Sequence, residues 1–240
     1  MSQNTTNQKE NLDTDYLTKV SEIDFGNEAP KVLDTTDFFT IAKERRSVRH
    51  FDKDFTISEK EIHEILETAI QAPSSSNLQP WRFLVIQDQA KKEQLLPIAN
   101  NQQQIVDASV VIAVLGDVEA YKNADRIYSK IVEGGMMTTE VKDFYVNSIH
   151  ESYGNFPIDV ATKVVMIDGG LVSMQLMLAA KAKGYDTVPM GGFDPVKFVE
   201  EFNVPASFKP VMLISLGKGV KAGFEKARLP LDDVLTWDKF

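Results

Sequence analysis

Two stretches of this chain, SVVIAVLG at residues 109–116 and VMLISLG at residues 211–217, are continuous apolar runs of strand length bounded by turn residues. Successive side chains of a strand point to opposite faces, so a strand can be apolar throughout only where both faces are covered. The two runs are therefore expected to be central strands of a buried sheet. Between them lies DGGLVSMQLMLAAKAKG, residues 168–184, apolar nearly all round with Gly184 placed just past its end. This pattern predicts a helix buried in a core or an interface. At 240 residues and 43% hydrophobic content, the chain is long enough for one large domain with a substantial core.

The helix signals between the strands are local and explicit. Ser58 as N-cap with Glu61 three residues on makes a capping box, Ile57 and Ile62 can form a hydrophobic staple, and Ile62, Ile65, Leu66, Ala69 and Ile70 make one stripe, ended by Pro73. Asp194 followed by Pro195 reads as N-cap and N1 of a second helix, with Val196, Val199 and Phe202 on one face. TDFFTIAKERRS from Thr36 has apolar residues at Phe38, Phe39, Ile41 and Ala42, which predicts a helix that delivers arginines at its end. PSSSNLQPW, residues 73–81, is a turn-rich loop, and RFLVIQ, residues 82–87, reads as a strand. Residues 1–34 are polar and acidic and are expected to form an arm outside the main domain at 35–240.

Several chemistries are excluded by inventory. The chain has no cysteine, which removes disulfides, thiolate nucleophiles and Cys-ligated clusters. His50, His63 and His150 are scattered without metal-site spacing. No phosphate loop of the G-x-x-x-x-G-K-[ST] kind and no G-x-S-x-G elbow is present. GKGVKAG at residues 217–223 has its third glycine one position late for a dinucleotide fingerprint and reads as a loop. A net charge of −9 argues against nucleic acid or an anionic membrane as partner. The polar start, with no later apolar run approaching the roughly 20 residues that span a bilayer, reads as cytoplasmic.

Against that acidic background, Arg45, Arg46 and Arg49 put three of the six arginines within RRSVRHFD, residues 45–52. They suit either a solvated basic patch at a helix end or a small anion. Ser47 among them, Lys226 and Arg228 in EKARLP, and the amides Asn77 and Gln79 beside Trp81 favour the anion: guanidinium forks fit phosphate, and amides fit a heterocycle. Phosphate plus heterocycle suggests a mononucleotide. Trp81, Phe193, Met174 and Met177 read as packing residues, and Arg82 as exposed or ion-paired.

RRSVRHFD, APSSSNLQPWRFLVI, GGLVSMQLMLAAKAKGYDTVPMGGFD and RLP, taken in this order, resemble the FMN-dependent nitroreductase family from about Thr36 onward. The resemblance implies an α+β fold, a central and mainly antiparallel sheet flanked by helices, with two chains intertwined as a homodimer. It implies FMN as cofactor and NADH or NADPH as cosubstrate, with hydride passing through the flavin to nitroaromatic, quinone or similar small-molecule acceptors in ping-pong fashion. No catalytic side chain is needed, because the flavin does the chemistry.

Carried residue by residue, the resemblance places Arg45, Arg46, Ser47, Lys226 and Arg228 at the FMN phosphate and Arg49 near N1 and O2 of the ring. Ser74, Ser75 and Asn77 would reach FMN from the second subunit. Asn101 and Gln104 would lie near the pyrimidine edge, Gln104 standing where relatives carry lysine. Pro189, Gly191 and Gly192 would lie against the flavin with the Gly191 N–H near N5, where many relatives have glutamate. A different class of protein, one that stores or senses FMN without turnover, shares all these binding features. A specialised flavin-fragmenting or dehalogenating enzyme is a further alternative.

Overall fold

The structure, a computed structural model, describes residues 28–240. Of the arm expected at 1–34, residues 1–27 lie outside the described part, and residues 28–34 form neither helix nor strand. The helices are α1 Phe38–Glu44, α2 Glu59–Ala69, α3 Gln89–Ile98, α4 Gln104–Asp107, α5 Ala124–Glu133, α6 Thr139–Gly154, α7 Ile158–Ala182 and α8 Pro195–Glu201. The strands are β1 His50–Phe51, β2 Trp81–Ile86, β3 Val110–Asp117, β4 Asp186–Met190, β5 Phe208–Gly217 and β6 Gly219–Lys221.

β2, β3, β5 and β4 lie in that order in one sheet, every neighbouring pair antiparallel, so the fold is α+β with helices on both faces. The continuous apolar run in β3 divides cleanly between those faces. Val110, Ile112 and Val114 face α2 and α7, while Val111, Ala113 and Leu115 face the side packed by α3, α4 and α8. Each fully buried aliphatic side chain contributes about 1.5–3 kcal/mol of hydrophobic stabilisation, so β3 anchors both cores at once. A smaller third cluster joins Leu78 to Tyr128 of α5 and to Val146 and Ile149 of α6.

The capping box forms as expected: the Ser58 Oγ accepts from the Glu61 N–H at 3.2 Å, and the Glu61 carboxylate accepts from the Ser58 N–H at 3.3 Å. Asp194 accepts from the N–H groups of Val196 and Lys197, with Pro195 behind it. Gly184 sits at φ +78°, and the Gly184 and Tyr185 N–H groups close back onto the Lys181 and Ala180 carbonyls. That pair of bonds requires a left-handed residue at Gly184, which glycine adopts without steric cost.

Three expectations need correction. The long helix begins at Ile158, ten residues before Asp168, because Pro157 supplies a start and the apolar pattern tolerates Asp159 and Lys163 on its outer side. Among the described residues this helix is long and apolar enough to cross a membrane by length and composition, but half of that span is buried in the fold against β3 and β5. On α8 Val199 and Phe202 pack against the core as expected, but the fully buried residue is Phe198, and Val196 in the first turn is 65% exposed. The helix expected after Thr36 forms as α1 and delivers Arg45 at its end; only its Ile41 is buried, and Phe38 and Phe39 point outward as an edge-to-face pair. Within GKGVKAG, residues 219–221 form β6, paired antiparallel with β1, rather than a plain loop.

Candidate functional site

The arginine segment is placed by three backbone ties. Arg45 is the C-cap of α1 and its N–H donates to the Ile41 carbonyl at 2.9 Å. Two residues on, Ser47 forms a parallel bridge with Thr187, and the Val48 N–H donates to the Thr187 carbonyl at 3.1 Å. The segment therefore runs alongside β4, in the same direction. Arg49 lies two residues past Ser47, and Pro189 two residues past Thr187, so the arginines and the Pro189–Gly192 turn share one wall.

The third tie is the segment after β6. A Cβ on Gly223 would lie 2.4 Å from the Ser47 carbonyl oxygen, so only glycine lets the chain pass this close. The pass brings Phe224–Arg228 over the arginines. Lys226 donates to the Ala42 and Lys43 carbonyls at 2.6 and 2.9 Å, capping the last turn of α1. The Arg46 guanidinium donates to the Gly223 carbonyl at 3.4 Å, and that of Arg49 stands 5.5 Å from the centre of the Phe224 ring.

The result is a cleft of about 220 Å³ lined by Arg45, Arg46, Ser47, Arg49, Phe224, Glu225, Lys226 and Arg228. Five of those eight residues are cations and one is an acid, in a chain that is acidic overall. Arg45 is half-buried, and two of its guanidinium nitrogens, Nε and Nη1, are buried without a hydrogen-bond partner. Burial and the neighbouring charge of Arg228 both pull the Arg45 pKa down. Lys226 is lowered likewise, by burial first and then by Arg45, Arg228 and Arg46. Buried charged donors without acceptors are costly, and an anion in the cleft removes that cost.

At the other end of the wall, the Pro189–Gly192 turn is held from the loop after α3. The side-chain amides of Asn100 and Gln102 donate to the Gly192 carbonyl at 2.8 and 2.9 Å, and the Asp194 N–H donates to the Ile98 carbonyl at 2.9 Å. Gln104 is 3% exposed and donates to the Gln102 side-chain oxygen at 3.1 Å and to the Met190 sulfur at 3.4 Å. Both of its N–H groups are thereby used, and it reaches the turn through other side chains rather than with an open amide. Asn101 is exposed at φ +54°. At Gly191 a Cβ would meet nothing within 4 Å, so the turn faces open space there.

Ser74, Ser75 and Asn77 are absent from the lining of the arginine cleft. Their loop is fixed elsewhere. Ser75 donates through its N–H and its hydroxyl to the carboxylate of Asp168, each at 3.1 Å, and Asp168 is 2% exposed in the middle of α7. Burial raises the Asp168 pKa, and the two Ser75 bonds oppose that rise. Tyr128 of α5 donates to the Ser76 carbonyl at 3.1 Å, and the Tyr153 hydroxyl of α6 lies 2.9 Å from that of Ser76. Asn77 accepts from the Gln79 amide at 3.3 Å, and Ser76, Asn77 and Gln79 all have positive φ.

Sequence reasoning missed Asn100, Gln102 and Asp168. Each acts on a partner about 90 residues away, and no local pattern announces that. It did anticipate Arg82, which pairs with Asp117 at 3.2 Å, and Trp81, which is buried in the core. The histidines form no metal cluster among the described residues; His63 pairs with Glu67 and His150 meets the Tyr121 ring edge-on.

A family model described as the Nitroreductase family matches residues 42–218. YdgI of Bacillus subtilis (strain 168), named as an NAD(P)H nitroreductase, is 46% identical over 208 residues, covering 86% of this chain and 100% of YdgI. The CLA biosynthesis enone reductase of Lactiplantibacillus plantarum is 31% identical over 206 residues, 84% of this chain and 94% of that protein. Among solved structures, a protein from Exiguobacterium sibiricum 255-15 crystallised in complex with FMN has a TM-score of 0.82 at 46% identity, covering 87% of this chain and 100% of that one. The antiparallel sheet, the ordered motifs and these full-length likenesses agree: the chain belongs to the nitroreductase family.

Proposed function

We propose that this protein is an FMN-dependent oxidoreductase that takes hydride from NADH or NADPH and delivers electrons to small acceptors such as nitroaromatics, quinones or activated alkenes. The observation that carries the reading is the pair of buried, unpartnered guanidinium nitrogens of Arg45 in a cleft of like charge. A phosphate monoester fits that donor set, with Arg45, Arg46, Ser47, Lys226 and Arg228 around it. FMN, when bound, supplies the two-electron chemistry.

The chain's own residues bind and orient. Arg49, two positions along the same wall toward the turn, would place a fixed positive charge at the N1 and O2 edge, where negative charge develops on reduction. The N–H groups of the Pro189–Gly192 turn would address the ring, and the open space at Gly191 leaves room for donor and acceptor to alternate. Alternation over one face is the basis for a ping-pong scheme.

A homodimer is part of the same reading. Ile167, Leu171 and Met174 on α7 are 65%, 43% and 41% exposed, and Leu229, Leu231 and Trp237 near the C-terminus are 70%, 70% and 79% exposed. That much apolar surface favours a protein partner. A second copy is also what would let Ser74, Ser75 and Asn77 reach a ligand held by the arginines.

The test is an anaerobic visible spectrum of the purified protein before and after adding NADH or NADPH. A bound-flavin spectrum that bleaches is the expected result. A protein that neither carries nor takes up FMN defeats the proposal, and one that holds FMN without bleaching reduces it to a binding module.

A further inference from the structure

The Pro189–Gly192 turn contains two adjacent glycines, which impose no backbone preference of their own. Gly191 also has no neighbour where a side chain would stand. What fixes this turn comes from across the fold. The Gly192 carbonyl accepts from Asn100 and from Gln102, so two amides occupy its two lone pairs.

Gln102 is the centre of that arrangement. One amide nitrogen serves both the Gly192 carbonyl at 2.9 Å and the Ala99 carbonyl at 3.0 Å, while its oxygen accepts from Gln104 at 3.1 Å. Gln104 in turn donates to the sulfur of Met190, the last residue of β4 and the neighbour of Gly191. The loop that carries these amides is itself unusual, since Asn100 and Asn101 both stand at φ +54°. Consecutive left-handed residues persist only where the surroundings over-determine them, and such strain clusters at working sites.

From this geometry we infer that Gln102 is a positioning residue for the reaction: with Asn100 it pins the Gly192–Phe193 peptide through the Gly192 carbonyl, and so sets the course of Gly191 and Gly192, whose backbone N–H groups would address the flavin. The inference rests on the FMN reading above. Gln102 touches neither the arginine cleft nor any group in it, so its effect falls on the orientation of the ring end and not on retention of the phosphate. Misplacing a reacting group by about 1 Å lowers a rate by up to about 100-fold without loss of binding.

The experiment compares the intact protein with Gln102→Leu and Asn100→Ala. Three quantities are read: FMN affinity by fluorescence, the circular dichroism of bound flavin in the visible, and the rate of bleaching at saturating NADH without air. Gln102→Leu is expected to keep FMN affinity within about threefold, to change the visible dichroism, and to slow bleaching by about 10- to 100-fold. Asn100→Ala, which removes one donor and leaves Gln102 in place, gives the same pattern at smaller size and serves if Gln102→Leu does not fold. Unchanged dichroism and rate in both variants overturn the inference alone, as does loss of affinity in step with rate. Wild-type protein that takes up no FMN overturns the functional reading along with it.

Discussion

At the arginine end of the site, buried donors outnumber the acceptors within reach; at the glycine-turn end, the amide donors of Asn100, Gln102 and Gln104 all have acceptors. Arg45 has two nitrogens without partners, whereas Gln102 has both its nitrogen and its oxygen engaged. The difference separates two tasks. Electrostatic capacity left open in the protein alone is available to a ligand, while a closed hydrogen-bond network holds a shape whether or not a ligand is there. On the proposed reading, one end binds and the other stays still.

The largest expected effect tests the open end. Arg45→Met keeps the aliphatic stem and removes the charge; FMN affinity should fall by about 10- to 100-fold, since hydrogen bonds to charged groups contribute about 1.5–3 kcal/mol. The thermal midpoint without FMN should hold or rise, because an unpaired buried charge is gone. A clear fall in that midpoint would show that Arg45 stabilises the fold by itself, and the contrast would break.

Gly223→Ala comes next. Its Cβ would stand 2.4 Å from the Ser47 carbonyl oxygen, and overpacking of this kind costs about 1–3 kcal/mol. Denaturant unfolding should show that loss, with weaker FMN binding as Phe224–Arg228 is displaced. The same change at Gly191, whose Cβ would meet nothing within 4 Å, should alter stability by no more than about 0.5 kcal/mol. Equal losses at the two glycines would show that the turn is as tightly packed as the cleft.

The smallest effect concerns the loop held by Asp168. Its folded pKa is raised above the ordinary value of 3.8, first by burial, so the folded state keeps this proton to higher pH than the unfolded chain does. The contribution is full below the unfolded pKa and is lost as pH rises from there through the folded value. Asp168→Asn should therefore flatten that part of the stability-versus-pH curve, read by thermal melts from about pH 4 upward. A curve identical to wild type would place the proton elsewhere.

What could be read from the chain followed the range of the forces involved. The Ser58–Glu61 box, the Asp194–Pro195 start and the Gly184 stop are settled within a few residues, and the structure has all three. The arginine cluster stood out as local charge density, and the two central strands as unbroken apolar runs. Sidedness was harder. Phe38, Phe39 and Val196 belong to seven-residue helices, where a turn more or less decides which side chains meet the core. The long-range amide and carboxylate contacts were illegible because an asparagine or glutamine in a turn satisfies its local rules equally well facing solvent.

The segments that close the cleft lie far apart along the chain: Lys226 caps α1 across 184 residues and Arg46 reaches Gly223 across 177. Contacts that distant form late, since the loop between them must first be ordered. During synthesis the arginines leave the ribosome early and wait for nearly the whole of the remaining sequence before their second wall exists. On the proposed reading, cofactor loading is in this way coupled to the last segment of the chain: a released chain that ends before Gly223 can carry all four strands of the main sheet and still lack the cleft.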